Sequence, residues 1–167
     1  MALYDTRADG GPVARFGGTS SAVLRCVAAA TPPAGCAGPC LLAAVGADRC
    51  LTVYDARSTK VLRSLPSLGR RDVSALSFFP GDPRRVLAAA TDYELLCRRW
   101  DAAAPKAPPA FAFGGDAEEE GGGGGGDGFS FRGEARWLGI ACAGETMVAY
   151  CASGSLYAAR LVAGAGV

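Results

Sequence analysis

The stretch Leu41–Arg57, LLAAVGADRCLTVYDAR, decides how this chain is read. Two aliphatics lead into small residues, Asp48 follows, and an alternating apolar run closes on Tyr54-Asp55-Ala56-Arg57. The same ending stands near the start of the chain as Tyr4-Asp5-Thr6-Arg7, and a third version, VLAAATDYELLCRRWD, runs from Val86 to Asp101. Tyr4, Tyr54 and Trp100 are 50 and 46 positions apart (54 − 4 and 100 − 54).

Self-similarity near that period is the signature of four-stranded blades arranged as a β-propeller. Short apolar or alternating runs, separated by Gly, Pro, Asp and Ser, supply the strands. Ala2–Tyr4 and Pro12–Phe16 are expected as the third and fourth strands of a blade that ends at residue 16. Ala22–Ala28, Leu41–Val45, Cys50–Tyr54 and Lys60–Leu65 then form a blade over 20–66. Val73–Phe79, Arg85–Ala90, Glu94–Trp100 and Ala110–Phe113 form another over 72–113, with the turn Pro80-Gly81-Asp82-Pro83 reversing the chain. Arg136–Cys142, Thr146–Cys151 and Ser155–Leu161 are the first three strands of a last blade over 129–161 that lacks its outer strand. The fold class is therefore all-β, a partial propeller of about three blades. Alternation buries one side chain in two, so Leu42, Ala44, Leu51, Val53, Leu76, Phe78, Leu87, Ala89, Leu95, Trp137 and Ile140 are the expected core.

Between the last two blades stands GGDAEEEGGGGGGDG, Gly114–Gly128. Six consecutive glycines do not hold one conformation cheaply and three glutamates add solvation, so 114–128 is expected to be a flexible linker. An acidic recognition tract is the functional alternative; a tolerated loop expansion is the reading adopted. The glycine run has no following Gly-Lys-Ser/Thr and is no phosphate-binding loop.

The 167 residues are half apolar, with 17 basic and 16 acidic groups and no histidine. That length is ample for one core. A net charge of +1 argues against a nucleic-acid binder that works by phosphate neutralisation. No apolar run reaches the roughly 20 residues of a membrane span, and MALYDTRADGG lacks the apolar stretch of a signal peptide. The expectation is a soluble intracellular protein, cytoplasmic or nuclear, that binds neither membrane nor nucleic acid. Without histidine, Ser-His-Asp and Cys-His nucleophile systems and histidine-ligated metals are excluded. Of the seven cysteines, Cys26, Cys50, Cys97, Cys142 and Cys151 sit in apolar runs and read as small buried hydrophobes. Cys36 and Cys40 form a CxxxC in a Pro/Gly loop, which needs a second ligand pair to hold zinc. Cys26 and Cys50 supply one only by leaving their strands, so no metal or cofactor is expected.

These residues resemble the WD-repeat family. Phe79-Pro80, Ala88-Ala89-Ala90, Asp92 and Trp100-Asp101 match successive landmarks of one repeat, and Leu42, Asp48 and Tyr54-Asp55 match those of the repeat before it. Asp48 to Tyr54 spans six residues as the family expects; Asp92 to Trp100 spans eight, which points to a bulge or a different pairing in that third strand. The region Trp137–Leu161 is similar to the last blade of the subfamily called WD repeat-containing protein 53. The family's Gly-His pair is absent, so its buried His–Ser–Trp network cannot form, and two of three Trp positions are Tyr. The family holds about seven blades, so the resemblance implies that this chain is the C-terminal part of a propeller.

The resemblance implies a non-catalytic protein–protein interaction scaffold. A narrower version comes from the Arg two places after the Asp. Tyr4-Asp5-Thr6-Arg7 and Tyr54-Asp55-Ala56-Arg57 look like the motif with which substrate receptors of cullin-4 RING ubiquitin ligases dock on their propeller adaptor. On that reading Arg7, Arg57, Tyr54 and Asp55 are partner-binding residues, because a fixed Arg offers a planar five-donor fork. The bland alternative is a solvated strand end after a structural Asp. An enzyme is the reading from a different class. Its available carboxylates carry no motif, and Asp5, Asp48, Asp55, Asp92 and Asp101 read better as turn formers.

Overall fold

The computed structural model describes residues 1–5, 7, 10–17, 23–30, 40–101 and 128–160. Those residues form strands and turns with no helix. A hairpin of β1 (Ala2–Leu3) and β2 (Ala14–Arg15) comes first. The first full sheet is β3 (Leu24–Ala30), β4 (Leu41–Gly46), β5 (Leu51–Asp55) and β6 (Val61–Leu65). The second holds β7 (Val73–Phe78), β8 (Arg85–Ala90), β9 (Glu94–Arg99) and β10 (Gly128–Arg132). The third has three strands, β11 (Trp137–Ala143), β12 (Thr146–Cys151) and β13 (Leu156–Arg160). Every sheet is an antiparallel meander in chain order. The architecture is all-β, two four-stranded sheets, a three-stranded sheet and a hairpin arranged as the blades of a partial propeller.

The first strands of consecutive sheets lie side by side, β3 near β7 and β7 near β11, as they do around a propeller axis. Each carries a register shift at the same place against its second strand, at Leu24/Cys26, Val73/Ala75 and Trp137/Gly139. A bulge leaves a residue out of the ladder, and the preceding blade supplies hydrogen bonds there. Cys26 Sγ donates to Val73 O at 3.3 Å and Ser74 Oγ to Trp137 O at 2.7 Å. The turn after each second strand is also repeated. Ala47 N donates to Val23 O, Thr91 N to Asp72 O and Ala152 N to Arg136 O, at 2.8, 2.9 and 2.9 Å. Two positions further on stand Arg49, Tyr93 and Gly154, all with positive φ (62°, 72° and 89°).

The core lies between sheets. Leu41, Ala43, Val45, Leu51 and Val53 of the first blade meet Leu76, Phe78, Val86 and Ala88 of the second. Leu87, Ala89, Leu95 and Cys97 on its opposite face meet Trp137, Met147 and Ala149 of the third. Of the eleven expected core residues, nine are buried, while Leu42 and Ile140 are half-buried. Burying one side chain in two is too little for the inner strands. Leu51–Tyr54 and Val86–Ala90 are buried throughout, because a blade between two others has solvent on neither face.

Two strand assignments differ from the sequence reading, and a third is decided between its two alternatives. The outer strand of the second full blade is Gly128–Arg132, paired with β9 from Gly128↔Arg98 to Arg132↔Glu94. Ala110–Phe113, expected in that place, lies outside the described residues, as do residues 114–127 of the expected linker. Phe129 thus belongs to the second blade and not to the last one. The physical reason is visible in GFSFR, where Phe129 and Phe131 alternate with small or polar residues and suit an outer strand. The third concerns Asp92 to Trp100, where of the two alternatives, a bulge or a different pairing, the structure holds the second. β9 pairs without a shift on both sides; the shift falls in the preceding blade, between Val53 and Tyr54 opposite β6.

Candidate interaction rim

The aromatic–Asp endings lie where a third strand turns toward a fourth, and their surroundings differ. Tyr54 is fully buried, packed edge-on against Phe16 at 5.4 Å and beside Ala44. Its role is to anchor the β1–β2 hairpin to the first full blade; burial removes it from any partner surface, which corrects its place among the partner-binding residues. Tyr4 is 62% exposed.

Asp55 stands half-buried at the end of β5. Its Oδ1 accepts the backbone N–H of Arg57 at 3.0 Å and its Oδ2 accepts the Ser58 hydroxyl at 2.9 Å. These two bonds, the backbone one foremost, hold its carboxyl below the usual carboxylate range. Asp55 therefore braces a turn. Arg57 is exposed, and among the described residues its guanidinium carries no hydrogen bond or ion pair. Asp5 accepts the Arg7 backbone N–H at 2.9 Å in the same way. The Arg7 side chain, however, folds back on it, Nε to Oδ1 at 3.1 Å and Nη2 to Oδ2 at 3.0 Å. That closed fork lowers the Asp5 carboxyl and raises the Arg7 guanidinium.

The third ending is offset. Arg99 faces Arg85 in the ladder where Asp55 faces Leu41. Trp100 N bonds Arg84 O where Ala56 N bonds Cys40 O. Trp100 thus takes the place of Ala56, and Asp101 that of Arg57. The charges are exchanged with the offset. Arg99 Nε and Nη2 donate to Asp101 Oδ1 and Oδ2 at 3.0 and 2.9 Å, the Asp5–Arg7 pairing with its polarity reversed. The Arg99 bonds lead the causes that hold Asp101 low. Trp100 spends its indole N–H on Pro83 O at 2.7 Å. Counting from Asp92 to Trp100 could have found the two-residue offset; the exchange of charge needed the ladder.

Asp48 accepts the Cys50 backbone N–H at 3.2 Å and is the turn former expected of it. Asp92, its counterpart in the second blade, keeps Oδ1 buried without a hydrogen bond among the described residues. Cys36 lies outside the described residues. Cys26, on β3, and Cys50, directly before β5, are free thiols. Among the described residues no three His, Cys, Asp or Glu side chains converge on one point.

No family model matches the chain, and no curated protein matches its sequence. Among solved structures it is similar to a chain in the crystal structure of the mitotic checkpoint complex, at 14% identity and a TM-score of 0.51. The match covers 80% of this chain and 35% of that one, so this chain spans about a third of the length of the structure it matches. At such low identity the likeness bears on the fold alone.

Proposed function

We propose that this chain is a non-catalytic protein–protein interaction scaffold of the WD-repeat kind, with Arg57 as a contact residue. The observation that carries the reading is the contrast among the three strand ends. Arg57 alone of these holds a guanidinium with no bond to it among the described residues, on a turn that Asp55 fixes from below. The planar guanidinium presents several N–H donors in one fork, so less side-chain freedom is lost per hydrogen bond when it meets a carboxylate or backbone carbonyls.

The narrower reading is a substrate receptor of a cullin-4 RING ubiquitin ligase that docks through its Asp-x-Arg motifs. Arg57 favours it; Arg7, closed on Asp5, must open first, and the second blade offers Asp101 where that motif has Arg. The test is a pull-down of the purified propeller adaptor by the full chain. The narrower reading expects Arg57→Ala to weaken capture at least about tenfold with an unchanged melting temperature, and Arg57→Lys to rescue poorly. Equal capture by the parent and by the Arg7→Ala/Arg57→Ala double variant removes the ligase reading and leaves the scaffold. If crosslinking of the full chain in cell extract yields the same partners for Arg57→Ala as for the parent, Arg57 is no contact residue at all.

A further inference from the structure

Two strand ends carry the same Asp-x-Arg spacing and part at the next position. Asp5-Thr6-Arg7 is followed by Ala8, and Asp55-Ala56-Arg57 by Ser58. In both, Oδ1 of the acid accepts the backbone N–H two residues on, at 2.9 Å from Arg7 and 3.0 Å from Arg57. The two acids differ at Oδ2. On Asp5 that oxygen accepts Arg7 Nη2 at 3.0 Å, while Arg7 Nε donates to Oδ1 at 3.1 Å. On Asp55 it accepts the Ser58 hydroxyl at 2.9 Å. Alanine has no hydroxyl to offer.

The third ending shows that the closed form is a recurrent one. Arg99 Nε and Nη2 meet Asp101 Oδ1 and Oδ2, atom for atom as Arg7 meets Asp5. Such a fork uses both oxygens of the acid. Arg57 stays near its own acid without bonding it: its charge is the last and least of the causes that lower the Asp55 carboxyl. An ion pair at an exposed site is worth little, so one hydroxyl on the second oxygen suffices to decide between a closed fork and an open one.

The turn holds that hydroxyl in place. Asp55 N donates to Lys60 O at 3.0 Å and closes the loop. Thr59 stands at φ 58°, a left-handed conformation that is strained for a β-branched residue. Its Oγ1 donates to Ser58 O at 2.7 Å.

We infer that Ser58 is a positioning residue whose hydroxyl, by taking the second oxygen of Asp55, keeps the Arg57 fork open to a partner. This rests on the reading of Arg57 as a contact residue. It also means that the Asp-x-Arg spacing does not by itself present an arginine. The residue after the Arg decides whether the fork is spent on its own acid.

The probe is phenylglyoxal, which modifies accessible guanidinium groups. Labelling of each arginine in the full chain is followed by mass spectrometry of peptides cut at aromatic residues. In the parent, Arg57 reacts faster than Arg7. Ser58→Ala slows Arg57 by about two- to fivefold, the range of an exposed ion pair, and Ser58→Thr, which keeps the hydroxyl, matches the parent. Adding Asp55→Asn to Ser58→Ala restores fast labelling, because the amide forms no ion pair. A hydroxyl that only braces the turn gives a different sign, since a loosened turn labels no slower. Three results overturn the inference: equal rates at Arg7 and Arg57 in the parent, unchanged or faster labelling of Arg57 in Ser58→Ala, or slow labelling that survives Asp55→Asn.

Failure of the contact reading looks different. There the labelling shifts as stated, while crosslinking in cell extract gives the same partners for Arg57→Ala as for the parent. Where Arg57→Ala loses partners, Ser58→Ala captures those same partners about two- to fivefold less. Undiminished capture by Ser58→Ala overturns the role of Ser58 in the contact.

Discussion

The junction between the two full blades and the junction after the second of them have the same backbone and different fillings. In each, the residue with positive φ in the turn before the third strand offers its carbonyl to the chain that enters the next blade. Arg49 O accepts Leu68 N at 2.9 Å, and Tyr93 O accepts Gly133 N at 2.8 Å. In the first junction Leu68 and Val73 fill the space, both buried. In the second, the counterpart of Leu68 is Gly133 and that of Val73 is Trp137, which is fully buried. A Cβ on Gly133 would stand 2.6 Å from the Trp137 ring. Leucine plus valine has become glycine plus tryptophan. The repeat is kept in hydrogen bonds and bulges, while the side chains conserve volume as a pair rather than position by position.

The largest effect that tests this comparison is expected at Trp137. Its indole N–H bonds Tyr93 O at 2.8 Å, so it also holds the carbonyl of an aromatic residue in the left-handed region, where a non-glycine residue is strained. Trp137→Ala removes the ring and that bond together and should cost about 3–5 kcal/mol, measured by urea unfolding. Leu68→Ala, with no second bond at stake, belongs at about 2–3 kcal/mol. If both cost the same, the indole bond contributes nothing and the two junctions differ only in shape.

The next effect is a coupling. Gly133→Leu alone drives a side chain into the indole, and Trp137→Val alone opens a cavity, so each destabilises. Combined, they rebuild the filling of the first junction. The double variant should be more stable than the sum of the singles by about 1–3 kcal/mol. Strict additivity would mean that the two junctions are not alternative solutions to one packing problem.

This pairing also shows what could be read from the chain alone. The period from Tyr54 to Trp100, the small-residue strands at Ala43–Val45 and Ala88–Ala90, and the turn at Asp48 follow from local pattern, and they suffice for an all-β blade architecture. Phe129 and Phe131 alternate as an outer strand should, yet the glycine run before them reads as a border and hides the pairing with β9. The eight residues from Asp92 to Trp100, against six from Asp48 to Tyr54, show that the third ending is displaced; that β9 runs on unbulged and sets Trp100 at the place of Ala56 depends on the ladder register Arg85↔Arg99 across the sheet. At the candidate rim, the Asp-x-Arg spacing is legible. Whether the Arg closes on its Asp, as Arg7 does, or stays open, as Arg57 does, depends on the competing Ser58 hydroxyl and on three-dimensional surroundings.

The smallest effect separates the acids of the two blades by sign. Asp55 has a depressed carboxyl, so its contribution is present above the ordinary value of 3.8 and is lost as pH falls through the lower folded value. Glu94 is the opposite case. It is 7% exposed at the start of β9, opposite Arg132 in the ladder. Burial, and then the charge of Asp92, push its carboxyl up, against the pull of Arg70, Arg132 and Arg98. Between the ordinary value of 4.5 and the raised folded value, the unfolded chain gives up its proton first. Stability therefore falls as pH rises through that window, and the loss persists above it. Glu94→Gln mimics the protonated form. It should match the parent near pH 4 and exceed it at pH 7 by no more than about 1 kcal/mol, because the arginines and nearby solvent offset much of the burial. Urea midpoints at the two pH values check this. A parent that is favoured at pH 7 would mean that the three arginines, not burial, set the charge of Glu94 in the fold.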